Sequence, residues 1–217
     1  RDRSITRYDA PGEPLWDYDA EMACAWCTYP MGDSPPWWDR AAPLRYIWYW
    51  WLADQKGALV HAAAVGTQVG AILLVGAGGS GKTTTALAAM LAGLEYLGDD
   101  YCALDLSGRV PMVRSIYSSG KCDERTLSLL PELNAYVRCA PQPGQKAVLD
   151  LAAHTRRERP IVALVMPRVQ PGETQLRPVS PSTVLRASAP NLTSLAVISC
   201  PVGGMAARRR SGCAASS

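Results

Sequence analysis

The feature that most constrains this chain is the stretch VGAILLVGAGGSGKTTTALAAMLAGLEYLGDDY, residues 69 to 101. An apolar run enters a glycine-rich loop. A lysine with hydroxyl neighbours then opens an apolar helix, and a second apolar run ends in two aspartates. Gly76-Ala77-Gly78-Gly79-Ser80-Gly81-Lys82-Thr83 satisfies G-x-x-x-x-G-K-[ST] at every position. Glycines let successive backbone N–H groups converge on phosphate oxygens, and a helix opening at Lys82 adds its positive dipole end. In such a loop Lys82 would neutralise the β and γ phosphates and Thr83 Oγ1 would bind Mg²⁺. A glycine-rich turn with an incidental lysine is the alternative, but strand, loop, Lys-Thr and helix all agree. The sequence therefore predicts a nucleotide and Mg²⁺ as ligands.

Asp99 and Asp100 follow the next short strand. In a parallel sheet that places them at the same carboxyl edge as the glycine loop. One carboxylate there can hold Mg²⁺, and a second can accept the proton of an attacking hydroxyl. Alone, the pair would read as an acidic turn; its position favours function. His61 lies on the strand before the loop strand. A lone histidine in an apolar run is usually a satisfied core residue, whereas on a neighbouring strand it would sit near the aspartates and tune one of them.

The rest of the chain sets bounds. At 217 residues it can form one substantial domain with a small appendage. A net charge of +3 is too small to argue for nucleic acid or an anionic membrane. No apolar run is long enough to span a bilayer, because His61, the glycine loop and Lys82 interrupt the richest one. Seven scattered cysteines beside a nucleotide motif read as reduced thiols, which predicts a cytoplasmic location. Cys24 and Cys27 form a lone C-x-x-C without the second ligand pair that zinc requires.

All seven tryptophans lie between Trp16 and Trp51. Residues 1–41 read as a Trp- and Pro-rich N-terminal extension of irregular or short-strand structure, packed on the main domain; a peptide-binding groove is the sharper alternative. Residues 42–188 read as the glycine-loop nucleotide-binding domain, and 189–217 as a poorly ordered tail. Within the domain, the patterns predict a helix over 43–57, strands over 58–65, 69–76 and 94–98 (running up to Asp99), and a helix over 82–92 capped by Gly93. Further on they predict a hairpin turning at Ser107-Gly108, a short helix over 123–130, strands over 146–151, 161–169 and 174–179, and a helix starting at Ser180-Pro181.

"LVHAAAV" followed by "ILLVGAGGSGKTTTALAAMLAGLEYLGDDY" resembles the catalytic domain of the HPr kinase/phosphorylase family and its kinase-like bacterial relatives. The shared features are a histidine on one strand, the glycine loop close behind, and Gly-Asp-Asp at this interval. They cover residues 58 to 106. "YSSGK" (117–121) and "KAVLDL" look more like the kinase-like relatives than the true HPr enzymes. The resemblance implies an α/β, P-loop nucleotide-binding fold of the HPr kinase / phosphoenolpyruvate carboxykinase type, a central mixed sheet with flanking helices. It implies that Gly76 to Thr84 bind ATP phosphates and that Thr83 with Asp99 holds Mg²⁺. Asp100 would be the base for a serine hydroxyl, with His61 beside it. Lys121 would contact phosphate or substrate, or else be solvated. The family forms homo-oligomers.

The chain departs from that family in lacking a recognisable separate N-terminal domain, a counterpart of the downstream metal-holding glutamate, and the segment that meets HPr. The implied activity is ATP- and Mg²⁺-dependent phosphorylation of a serine on an unidentified protein or peptide. The alternatives are a small-molecule kinase and a non-catalytic nucleotide-binding module. No LSGGQ-like segment supports a transporter ATPase.

Overall fold

The structure, a computed structural model, describes residues 4–7, 14–30, 35, 37–139, 141–180 and 182–184. The expected tail over 189–217 lies outside the described residues. The chain begins with β1 (Ser4–Arg7), β2 (Leu15–Asp19) and β3 (Cys24–Thr28), an antiparallel sheet in chain order. Helices α1 (Trp37–Ala41) and α2 (Arg45–Asp54) follow. Trp16 and Tyr18 of β2 pack on Trp50 of α2, with Trp16 and Tyr46 edge to face at 5.5 Å. The other side of α2 sends Trp48 and Tyr49 towards Leu59 and Ala103 of the main sheet. The aromatic helix therefore joins the N-terminal sheet to the rest. Cys24 and Cys27, three apart on β3, point to opposite faces, and Cys27 packs on the Trp16 cluster.

The main body is built from β4 (Gly57–Val60), β5 (Ala63–Thr67), β6 (Gly70–Leu74), α3 (Lys82–Leu91), β7 (Glu95–Gly98), β8 (Cys102–Asp105) and β9 (Met112–Arg114). It continues with β10 (Ser119–Cys122), α4 (Glu124–Leu129), a 3₁₀ helix (Pro131–Tyr136), β11 (Val137–Cys139), β12 (Ala147–Asp150) and β13 (Glu158–Val165). A seven-stranded mixed sheet runs β4-β8-β9-β13-β6-β5-β7. Its one parallel pairing is β13 with β6. β13 links two arms: Glu158 to Pro160 face β9, and Ile161 to Val165 face β6. The core between the arms unites Ala64, Leu73 and Leu97 with Cys102 and Val113.

The other face of β5 and β6 packs on Ala86 of α3. Leu87 and Met90 of α3 reach instead into a core with Leu149 of the small sheet β10-β12-β11. The helix ends where expected. Gly93 takes φ 95°, and the N–H groups of Gly93 and Leu94 donate to Met90 O and Ala89 O at 2.9 and 3.0 Å. That is a Schellman closure, which a residue with a Cβ would strain.

Three expectations are corrected. The single strand over 58–65 is two, β4 and β5, because the chain turns at His61: Ala62 N–H donates to Val60 O at 3.0 Å, and each half joins a different arm. The β8–β9 hairpin turns through residues 106–111 rather than two residues, since Asp105 Oδ1 accepts from Ser107 N–H and Oγ–H at 3.0 and 2.6 Å and draws the chain into a wider loop. Residues 174–179 form no strand. β9 and β6 already take both edges of β13, and the segment is exposed throughout. At 180, Ser180 Oγ accepts from Thr183 N–H at 3.3 Å and a helical turn follows over 182–184.

Candidate functional site

The topology gathers the site. β5 runs antiparallel between β6 and β7, so its start meets the ends of both. His61 precedes β5, the glycine loop follows β6, and Asp99 and Asp100 follow β7. All therefore share one edge, although the strands between them are not all parallel. Two connections leave that edge for the other arm, β4 to β5 through His61 and β7 to β8 through Asp100. Each passes a tight reversal: Tyr101 N–H donates to Asp99 O at 2.8 Å, as Ala62 does to Val60. Asp100 takes φ 65°, a left-handed conformation that aspartate tolerates better than most side chains. That reversal lets two adjacent carboxylates aim at different partners.

The glycine loop lies between β6 and α3. Gly79 and Gly81 have φ 77° and 97°, and a Cβ on Gly78 or Gly79 would meet nothing within 4 Å. The loop backbone thus opens onto free space. Lys82 is buried, and its Nζ donates to Gly76 O at 2.7 Å and Ala77 O at 3.0 Å. Burial lowers its pKa, against the opposing pull of Asp99 and Asp100. Thr83 Oγ1 donates to Asp99 Oδ1 at 2.9 Å, and Thr84 Oγ1 lies 3.0 Å from Thr126 Oγ1.

Asp99 is 4% exposed, and its Oδ2 has no hydrogen-bond partner among the described residues. Burial, then the Asp100 charge, push its pKa up to about 6. Asp100 is set the other way. Burial would raise its pKa, but the His61 contact at 3.6 Å and the Lys121 ion pair overcome this and hold it well below the usual carboxylate range. The Lys121 side chain is 10% exposed, so this is a sheltered pair and not a solvated lysine.

The Asp99 shift predicts a pH dependence of stability. From the ordinary value of 3.8 up to about 6, an unfolded Asp99 is ionised while the folded one keeps its proton. The folded state then binds more protons, so this contribution falls as pH rises through that window. Above it, burying the ionised carboxylate costs on the order of 2–3 kcal/mol. Asp99→Asn is therefore expected to raise Tm at about pH 7.5 without metal and to flatten the slope across the window. Melts in which the variant is no more stable there would contradict a carboxylate whose burial outweighs its hydrogen bond to Thr83.

A cleft of about 620 Å³ runs from Asp100 along the loop. It also takes in Arg125, Lys146 and Arg168, whose part sequence reasoning missed. None belongs to a spaced motif; each reaches the cleft from a separate element or loop. Thr126 was also missed. It is buried beside Thr84, and its N–H is capped by Asp123 Oδ1 at 2.8 Å. The signal available was Asp123 as a helix N-cap with a hydroxyl three residues on.

No protein-family model matches the chain, and no curated protein matches it. A search of solved structures finds the HPr(Ser) kinase/phosphatase from Coxiella burnetii at 16% identity and a TM-score of 0.34, covering 57% of this chain and 73% of that one. Among the described residues, no helix is long and apolar enough to cross a membrane.

Proposed function

We propose that the chain is an ATP- and Mg²⁺-dependent phosphotransferase of the P-loop, HPr kinase-like type, which moves the γ-phosphoryl group of ATP to a serine hydroxyl of a protein or peptide. The observation that carries this reading is the divided aspartate pair. Asp99 is joined to Thr83 of the loop helix and keeps one buried oxygen unpartnered, while Asp100 beside it lines the cleft, braced by His61 and Lys121.

The loop N–H groups and Lys82 would bind the phosphates, with Nζ exchanging the Gly76 and Ala77 carbonyls for phosphate oxygens. The unpartnered Asp99 Oδ2 fits a cation. Asp99 and Thr83 would hold Mg²⁺, which supplies neutralisation of phosphate charge when bound. Two protein ligands suffice, because Mg²⁺ keeps several waters and phosphate oxygens. Asp100, kept ionised, accepts the hydrogen bond of the serine hydroxyl and aims its oxygen at the γ-phosphorus. As that P–O bond forms, the bond to the β–γ bridging oxygen breaks, ADP leaves, and the serine proton passes to Asp100. A carboxylate held so low in pKa is a weak base at rest, so its main part is orientation, with the proton moving late.

The test is transfer from γ-labelled ATP with Mg²⁺ to HPr, to a panel of serine peptides, to small hydroxylic metabolites and to water. Label on serine is expected. Label only on a metabolite would make this a small-molecule kinase. Tight ATP binding with no transfer to any acceptor would leave a nucleotide-binding module.

A further inference from the structure

His61 and Lys121 are the side chains paired with Asp100, and the strand that carries Lys121 is braced from one short segment, Ala41–Pro43, at the junction of α1 and α2. Lys121 lies on β10, an edge strand whose ladder bonds run only to β12. Such a strand depends on side-chain anchors for its position. Ser119 Oγ donates to Ala41 O at 2.9 Å, and Tyr117 OH, just before the strand, donates to Pro43 O at 2.7 Å. Ser119 and Lys121 share one face of β10, while Gly120 and Cys122 turn to the core, so fixing Ser119 orients Lys121. From the opposite side, Tyr96 OH donates to Ser119 O at 3.2 Å. His61 is reached from α2 instead: Tyr101 packs with Trp48 and Tyr49, and its ring lies 5.6 Å from the His61 ring.

We propose that Ala41–Pro43 is a bracket that sets Lys121, one of the two partners of Asp100, with Tyr117 and Ser119 as positioning residues. The Trp-rich N-terminal module is then part of the catalytic unit and not an appendage. The proposal rests on the reading of Asp100 as the residue that orients the acceptor.

The test uses the full chain and two readouts, one independent of activity. The chain has four lysines, Lys56, Lys82, Lys121 and Lys146, so limited acylation with acetic anhydride, read by mass spectrometry, can follow each. In Tyr117→Phe/Ser119→Ala, Lys121 acylation is expected to rise about five-fold while Lys56 and Lys146 stay unchanged, and kcat to fall about ten-fold at constant KM for ATP. Ser119→Thr, which keeps the hydroxyl, should restore both towards wild type. Should the double variant fold poorly, Tyr117→Phe alone is expected to move both readouts in the same directions. Unchanged Lys121 acylation, or a rise shared by Lys56 and Lys146, overturns the bracket. Freed Lys121 with an unchanged kcat overturns the positioning role. If the wild-type chain transfers no phosphate, Lys121 acylation still decides the bracket, and the kinase reading is what fails.

Discussion

Asp100→Asn is expected to lower phosphate transfer about 10²- to 10⁴-fold, the range for loss of a positioned proton acceptor. The amide keeps the size of the carboxylate, so the reversal at Asp100 and the loop are left in place. It loses the charge that pairs with Lys121 and contacts His61, and its NH₂ cannot accept the serine proton. ATP affinity should change little, because in the proposed reading the loop and Lys82 carry the phosphate grip. Single-turnover rates and ATP titration on the same preparation separate the two effects. A variant within a few-fold of wild type in rate would remove Asp100 from the chemistry and point to Asp99. A variant that also fails to bind ATP would mean that the Lys121–Asp100 pair holds the loop itself.

Lys82→Met is expected to weaken ATP binding about 100-fold, as when one partner of a buried charge pair is truncated. Its ammonium is buried beside the loop carbonyls, where a phosphate would be poorly screened by water. Methionine keeps the apolar stem and drops the charge. Calorimetry with a non-hydrolysable ATP analogue measures the loss, and a thermal melt shows whether the fold survives. Lys146→Met is the comparison: Lys146 is exposed in the same cleft, and its loss should cost about three-fold or less. Equal effects from the two substitutions would mean that the loop lysine has no special place.

The two substitutions differ in how far they could be argued from residues alone. The loop was legible because its chemistry is local. Gly76 to Thr83 are contiguous, the strand before and the helix after follow from short-range patterns, and Gly93 marks the helix end with a left-handed closure that needs no distant partner. Asp99 and Asp100 were legible as a pair, and their division of labour came only from the family resemblance, since adjacent carboxylates carry no local mark of which is buried. His61 was legible only as a residue that would matter if its strand were a neighbour.

Lys121 shows the limit most clearly. In the sequence it follows Ser118-Ser119-Gly120, a stretch that reads as flexible and solvated. In the fold it is on a strand, sheltered and paired with Asp100. The strand exists because β12 offers it a partner and because Tyr117 and Ser119 find the carbonyls of Pro43 and Ala41, 74 and 78 residues away along the chain. The converse holds at 174–179, where the alternation of a strand is present and no free edge receives it.

By itself, then, the sequence determined the glycine-rich loop, the helix behind it and the presence of two carboxylates at a strand end, because these depend on backbone conformation and on neighbours within a few residues. Only the tertiary structure decided which carboxylate is buried against Thr83, which is held ionised by His61 and Lys121, and that Ala41 and Pro43 anchor the strand that carries Lys121. Burial and charge pairing are set by groups brought together from distant parts of the chain, and no local pattern encodes them.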